Sequence, residues 1–131
     1  MPTRSEALLQ PRPQIPVLLE ATTSTAEQFQ NCCLRPILKL QNELLLEVYR
    51  HYIYKRKNVY QQLSNPERLA YIEQSLQKDQ RLKELLCGLI IGHFSTEEWQ
   101  QFVAEEAELR RRLIALLIQR LQSQSEILAK S

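Results

Sequence analysis

Only two glycines, Gly88 and Gly92, occur in 131 residues, and this scarcity narrows the fold more than any other feature. A sheet-rich domain needs turn residues roughly every 8–12 positions, and none recur at that interval here. The punctuation that exists is helical. Ser64-Asn-Pro-Glu67 and Ser95-Thr-Glu-Glu98 both have capping-box form, in which the serine hydroxyl and the glutamate carboxylate satisfy each other's backbone amides. Thr25-Ala-Glu-Gln28 repeats the pattern, and Pro66 is tolerated in a first turn. Phe94 before Ser95 and Trp99 four residues after it predict a hydrophobic staple with Trp99 buried. Gly92 is the expected left-handed residue past a helix end.

Between these stops, apolar residues recur at three- and four-residue steps. Ile37, Leu40, Leu44, Val48, Tyr52 and Val59 mark a rod expected over 35–63, restarted or kinked at Pro36; Leu38, Leu45 and Tyr49 widen its stripe. Leu69, Ile72, Leu76, Leu86 and Ile90 mark a second, and Phe102, Val103, Leu109, Leu113, Leu117 and Leu121 a third. Short connections make neighbours antiparallel, so the expected fold is all-α: an up-down-up bundle of three long helices over 25–131. Pro2, Pro11, Pro13 and Pro16 predict an extended or disordered tail over 1–24, broken by the apolar run Val17-Leu18-Leu19.

Seventeen basic and fifteen acidic side chains leave a net charge of +2, too little for an overall field that demands nucleic acid or anionic membrane. Neither a leader's apolar core nor a bilayer-spanning run is visible, so a cytoplasmic protein with no membrane partner is expected. Cys32, Cys33 and Cys87 form neither a disulfide framework nor a zinc spacing, so reduced thiols and no metal or other cofactor are expected. Cys87 falls on an apolar face, where it packs as a small hydrophobe.

Two sets of polar residues stand out. Glu47, His51 and Lys55 lie one turn apart along the first rod, Asp79 and Lys83 interrupt the second stripe, and Glu106 and Arg110 the third. With helix ends level, these interruptions meet at mid-height. They predict a satisfied ionic layer with Asp79–Lys83 and Glu106–Arg110 pairs; the competing reading is a site, since carboxylates and a histidine between helices are a metal-ligand chemistry. Glu47 and His51, however, are four apart where bundle di-metal sites use Glu-x-x-His. The second set is basic. The segment 34–62 carries six basic and two acidic residues interleaved with tyrosines, and Lys39, Arg50 and Lys57 share one helical face, a pattern suited to phosphate-backbone contact. In the third rod Glu106 and Glu108 largely neutralise the run Arg110-Arg-Arg112, with Arg112 expected to point outward.

Leu34-Arg-Pro-Ile-Leu-Lys-Leu-Gln-Asn-Glu-Leu-Leu45, Tyr54-Lys-Arg-Lys-Asn-Val-Tyr60, Tyr71-Ile-Glu-Gln74 and Gly88-Leu-Ile-Ile-Gly92 resemble a family of small, uncharacterised, all-helical bacterial proteins often automatically labelled glyoxalase. The resemblance covers most of residues 29–122 and implies the same helical boundaries. Its label implies a metal-dependent enzyme. Glyoxalase I folds place metal ligands on strands, and the metallo-hydrolase type needs a clustered histidine motif, whereas this chain has only His51 and His93. The sequence therefore leads to a non-enzymatic helical interaction protein that associates with itself or another protein. Nucleic-acid binding through Lys39, Arg50 and Lys57 is the first alternative, and a metal-dependent enzyme at the polar layer the second.

Overall fold

The computed structural model describes residues 3–13 and 24–130; the Val17-Leu18-Leu19 run lies outside them. Among the described residues every regular element is helical, so the protein is all-α. The rods, however, are broken. A short α1 (Arg4–Leu9) precedes α2 (Thr25–Phe29), which runs through a π turn (Gln30–Leu34) into α3 (Arg35–Leu40). Then follow α4 (Asn42–Lys55), a 3-10 turn (Val59–Gln62), α5 (Asn65–Lys78), α6 (Gln80–Ile91), α7 (Thr96–Ala104), α8 (Glu106–Ser123) and α9 (Ser125–Ala129).

Each break has a local cause. The π turn answers Pro36, whose ring crowds the carbonyl four residues back in an ordinary helix; widening the preceding turn keeps the path helical. Lys57 and Asn58 both take left-handed backbone (φ 60° and 55°), and they end α4 well short of residue 63. Asn58 is a residue type suited to that conformation, and its amide reaches back to the Ile53 carbonyl at 3.2 Å. Asp79 divides the second rod: its carboxylate caps α6 by accepting from the Leu82 amide at 3.1 Å. The third divides at Glu105 (φ −132°, ψ 45°).

Both serine capping boxes form as their spacing dictates. The Thr25–Gln28 box does not: the cap is Ser24, which accepts from the Glu27 amide at 3.1 Å, one residue earlier. Gly92 is not left-handed either (φ −59°). A Cβ there would meet the Gly88 carbonyl oxygen at 3.1 Å, which explains the glycine by crowding rather than by handedness. The carbonyls of the turn just after α6 find their partners far away in sequence. Arg4 donates to Phe94 O (2.7 Å) and Gly92 O (3.1 Å), and Arg12 to His93 O (2.7 Å). Two guanidinium groups thus sit at the negative end of the α6 dipole. Where an extended tail is expected, residues 4–9 are a helix capped by Thr3 and Glu6 and fastened to this corner.

The core is continuous. Leu34, Ile37, Tyr49, Ile72, Leu76, Leu86, Ile90, Leu113 and Leu117 are all fully buried, each worth about 1.5–3 kcal/mol of burial. Phe29, Phe94 and Phe102 close one end, with ring centroids 5.5–6.4 Å apart. At the other, Tyr60 donates to Ser125 O at 2.7 Å and Arg68 holds the Tyr60 and Gln61 carbonyls.

The staple fails in one half. Phe94 is buried, but Trp99 is 46% exposed and stacks on Phe102 from outside. Phe29, arriving from α2, fills the space that the staple assigns to tryptophan. Accordingly Trp99→Ala should cost about 1 kcal/mol or less, against about 3–5 kcal/mol for Phe102→Ala. Urea melts of the two variants check the contrast, and equal losses would contradict it.

Candidate functional site

Helix α4 decides what the molecule shows to solvent. Its buried residues are Leu45, Leu46, Tyr49 and Ile53. The stripe expected to be core is therefore displaced by about one residue, or 100°. Leu44 is 45% exposed, Val48 and Tyr52 are half-buried, and Val59 is 47% exposed beyond the end of the helix. Two observations fix this rotation. Gln41 breaks the phase between α3 and α4 (φ −92°, ψ 7°), so steps counted from Ile37 no longer apply. Inside, the Tyr49 hydroxyl meets Ser75 Oγ at 2.8 Å, both buried, and Ser75 donates its proton to Ile72 O at 2.9 Å, leaving Tyr49 as the donor. Burial pushes the Tyr49 phenol well above its ordinary range, so it stays neutral.

The opposite face of α4 looks outward across α6. Gln41 donates to Leu89 O (3.2 Å) at one end, and Arg56 pairs with Asp79 (2.7 Å) at the other, so α4 and α6 run antiparallel. Between them lies a groove of about 550 Å³ with Val48, Leu82 and Leu85 as its apolar wall and Glu47, His51 and Lys55 along its rim. Leu85 is 51% exposed. The Arg56 guanidinium lies 3.6 Å from the centre of the Tyr52 ring. Burial raises the Tyr52 phenol pKa, with Arg56 opposing and Asp79 adding to the rise.

The polar-layer residues do not form one layer. Glu47, His51 and Asp79 border the groove, but Glu47 pairs with Arg50 on its own helix and His51 stacks against Tyr54. Asp79 pairs with Arg56 rather than Lys83, because its carboxylate is drawn to the break it caps. Lys83 is half-buried on α6, and Glu106 is exposed at the start of α8. Arg110 crosses to Glu84 of α6 in place of Glu106. Among the described residues no three His, Cys, Asp or Glu side chains gather as a metal-ligand set. The basic face is similarly dispersed. Lys39 stands on the last turn of α3, Arg50 is taken up by Glu47 and the Ile127 carbonyl, and Lys57 lies in the turn after α4. Arg112 is partly buried between Glu108 (2.8 Å) and Gln30 (2.9 Å), not outward. Cys87 is buried, as its place on an apolar face implies.

A second cluster escapes any periodic reading of the sequence, because its members come from the tail, the π turn and α7. Arg12, its side chain only 6% exposed, grips Glu98 through two bonds of 2.6 and 3.0 Å. Glu98 also accepts from the Ser95 amide at 2.9 Å and from the Cys33 thiol. Burial pushes the Cys33 thiol far up and the Glu98 carboxylate adds to it, so this cysteine stays protonated. Burial likewise lowers the pKa of His93, with Arg12 and Arg4 adding to the effect. The cluster has the marks of a structural tie. No motif announces it, although Arg4 and Arg12 in a proline-rich tail are a faint signal.

Compared with protein-family models, curated proteins and solved structures, the chain finds no match. No helix among the described residues is long and apolar enough to cross a membrane.

The tie has a pH signature. Burial alone raises the Glu98 pKa, but the bonds from Arg12, Ser95 and Cys33 outweigh it and hold the net value below the ordinary 4.5. A carboxylate held low stabilises the fold above its unfolded pKa, and that contribution disappears as pH falls through the folded value. Glu98→Gln should cost about 1–3 kcal/mol at neutral pH. Denaturation across pH should show this gap level down to near 4.5 and closing below it. A gap that widens on acidification would refute the assignment.

Proposed function

We propose that the chain is a non-enzymatic helical interaction protein whose docking face is the α4–α6 groove. The observation that carries this reading is half-exposed Leu85 in the groove's apolar wall beside Val48 and Leu82, with half-exposed Leu44 one turn before Val48 on α4. Single exposed apolar residues are ordinary on a protein surface. Here they are joined along two antiparallel helices with charged residues at the rim, which is the anatomy of an interaction surface. The partner is a second copy or another protein presenting an apolar helical face, within a reduced, cytoplasmic setting.

The two alternatives have less support. Arg50, central to the basic face, already has an acidic partner, and the three bases stand on separate elements, Lys39 on α3, Arg50 on α4 and Lys57 in the turn after it. The glyoxalase-type reading needs a ligand set, and Glu47, His51 and Asp79 each serve other contacts.

A leucine kept outside for a partner contributes little to the isolated chain, whereas a core leucine is worth about 2–5 kcal/mol. Leu44→Glu combined with Leu85→Glu should therefore change the stability of the dilute monomer by no more than about 1 kcal/mol. A loss of core size would assign both leucines to folding and remove the docking face. Salt-sensitive retention of the wild type on an RNA or DNA column would favour the basic face instead.

A further inference from the structure

We infer that the partner of this face is a second copy of the chain, laid antiparallel so that α4 packs on α4. The inference rests on the docking reading above and adds the occupant and its register. Four exposed or half-exposed positions of α4, at steps of three and four residues, form the outward seam: Leu44, Glu47, His51 and Tyr54. This is the a-d-a-d spacing of a helix-pairing seam. Leu44 is 45% and Tyr54 68% exposed, so the two outer positions are apolar or aromatic and unpartnered from within the chain's core.

Charge along this face is segregated. Glu43 and Glu47, the latter paired with Arg50, occupy its N-terminal half, His51 and Lys55 its C-terminal half. A parallel copy sets Glu47 against Glu47 and Leu44 against Leu44. An antiparallel copy centred near residue 49 instead sets Leu44 against Tyr54 of the second copy, and Glu47 against its His51. Each of these layers occurs twice about the two-fold axis, so one sequence satisfies both sides of the contact. The acidic half of each helix then lies over the basic half of the other, and the two helix dipoles oppose. Val48 and Leu85 flank the seam on the groove side and extend its apolar area.

One 14-residue helix, about 21 Å long, is a small interface, so the pair belongs to the weak, concentration-dependent class. Sedimentation of the full chain at about 100 µM should show a dimer that dissociates on dilution, and Glu47→Lys should weaken it at least about tenfold. Register is read by cross-linking in a Cys32→Ser background. Leu44→Cys and Tyr54→Cys should each link poorly with themselves, being about 15 Å from their own copies. Mixed under mild oxidation, they should link to each other several-fold better. Self-linking of either variant as strong as the mixture would overturn the antiparallel register. A wild type that stays monomeric at this concentration would overturn the second copy as occupant, and the seam would then serve another protein. Those outcomes leave the docking face itself standing, because that fails only if the glutamate variants unfold the dilute monomer.

Discussion

The hydrogen bond between Tyr49 and Ser75 fixes the rotation of α4, and much of the rest of the molecule follows from that rotation. A buried phenol without a partner costs about 1–3 kcal/mol, so Tyr49 must face the helix that carries Ser75. Leu45, Leu46 and Ile53 turn inward with it. What remains outside is then forced: Leu44, Glu47, His51 and Tyr54. Tyr52 and Tyr60 pack against the same ring, at 5.5 and 6.5 Å, so a whole aromatic layer shares the constraint.

Periodicity alone could not choose this rotation. In Leu44-Leu-Leu46 three consecutive positions are apolar, and a stripe drawn through Leu44 and Val48 is as regular as one drawn through Leu45 and Tyr49. The all-helical class and the boundaries at Ser64 and Ser95 were legible because capping boxes are local chemistry, complete within four residues. The breaks at Gln41 and Glu105 were not. Neither residue is a glycine or proline, and both bends are imposed by packing rather than by propensity. Asp79 was read as a charge within a stripe, although Asp is also a cap residue; the cap won because the helix ends there.

The candidate surface was legible in its residues but not in their setting. Glu47, His51 and Asp79 do come to one groove, yet by way of neighbours the sequence left unassigned, above all Arg56 and Leu85. An ionic layer expected inside the bundle became a rim once α4 rotated, so its charges meet solvent and each other instead of a desolvated core. The part-buried Arg12–Glu98 ion pair joins positions 86 residues apart, beyond the reach of any pattern of helical steps.

That separation also orders events at the ribosome. The carbonyls of residues 92–94 and the carboxylate of Glu98 are the anchor points for Arg4 and Arg12. Until the start of α7 has been synthesised and has left the exit tunnel, those points do not exist in accessible form, and Arg4 and Arg12 have nothing to fasten to. A stretch made long before its anchor is thus late to find its place. A short helix with no buried residue of its own stays a loose end until the start of α7 is made.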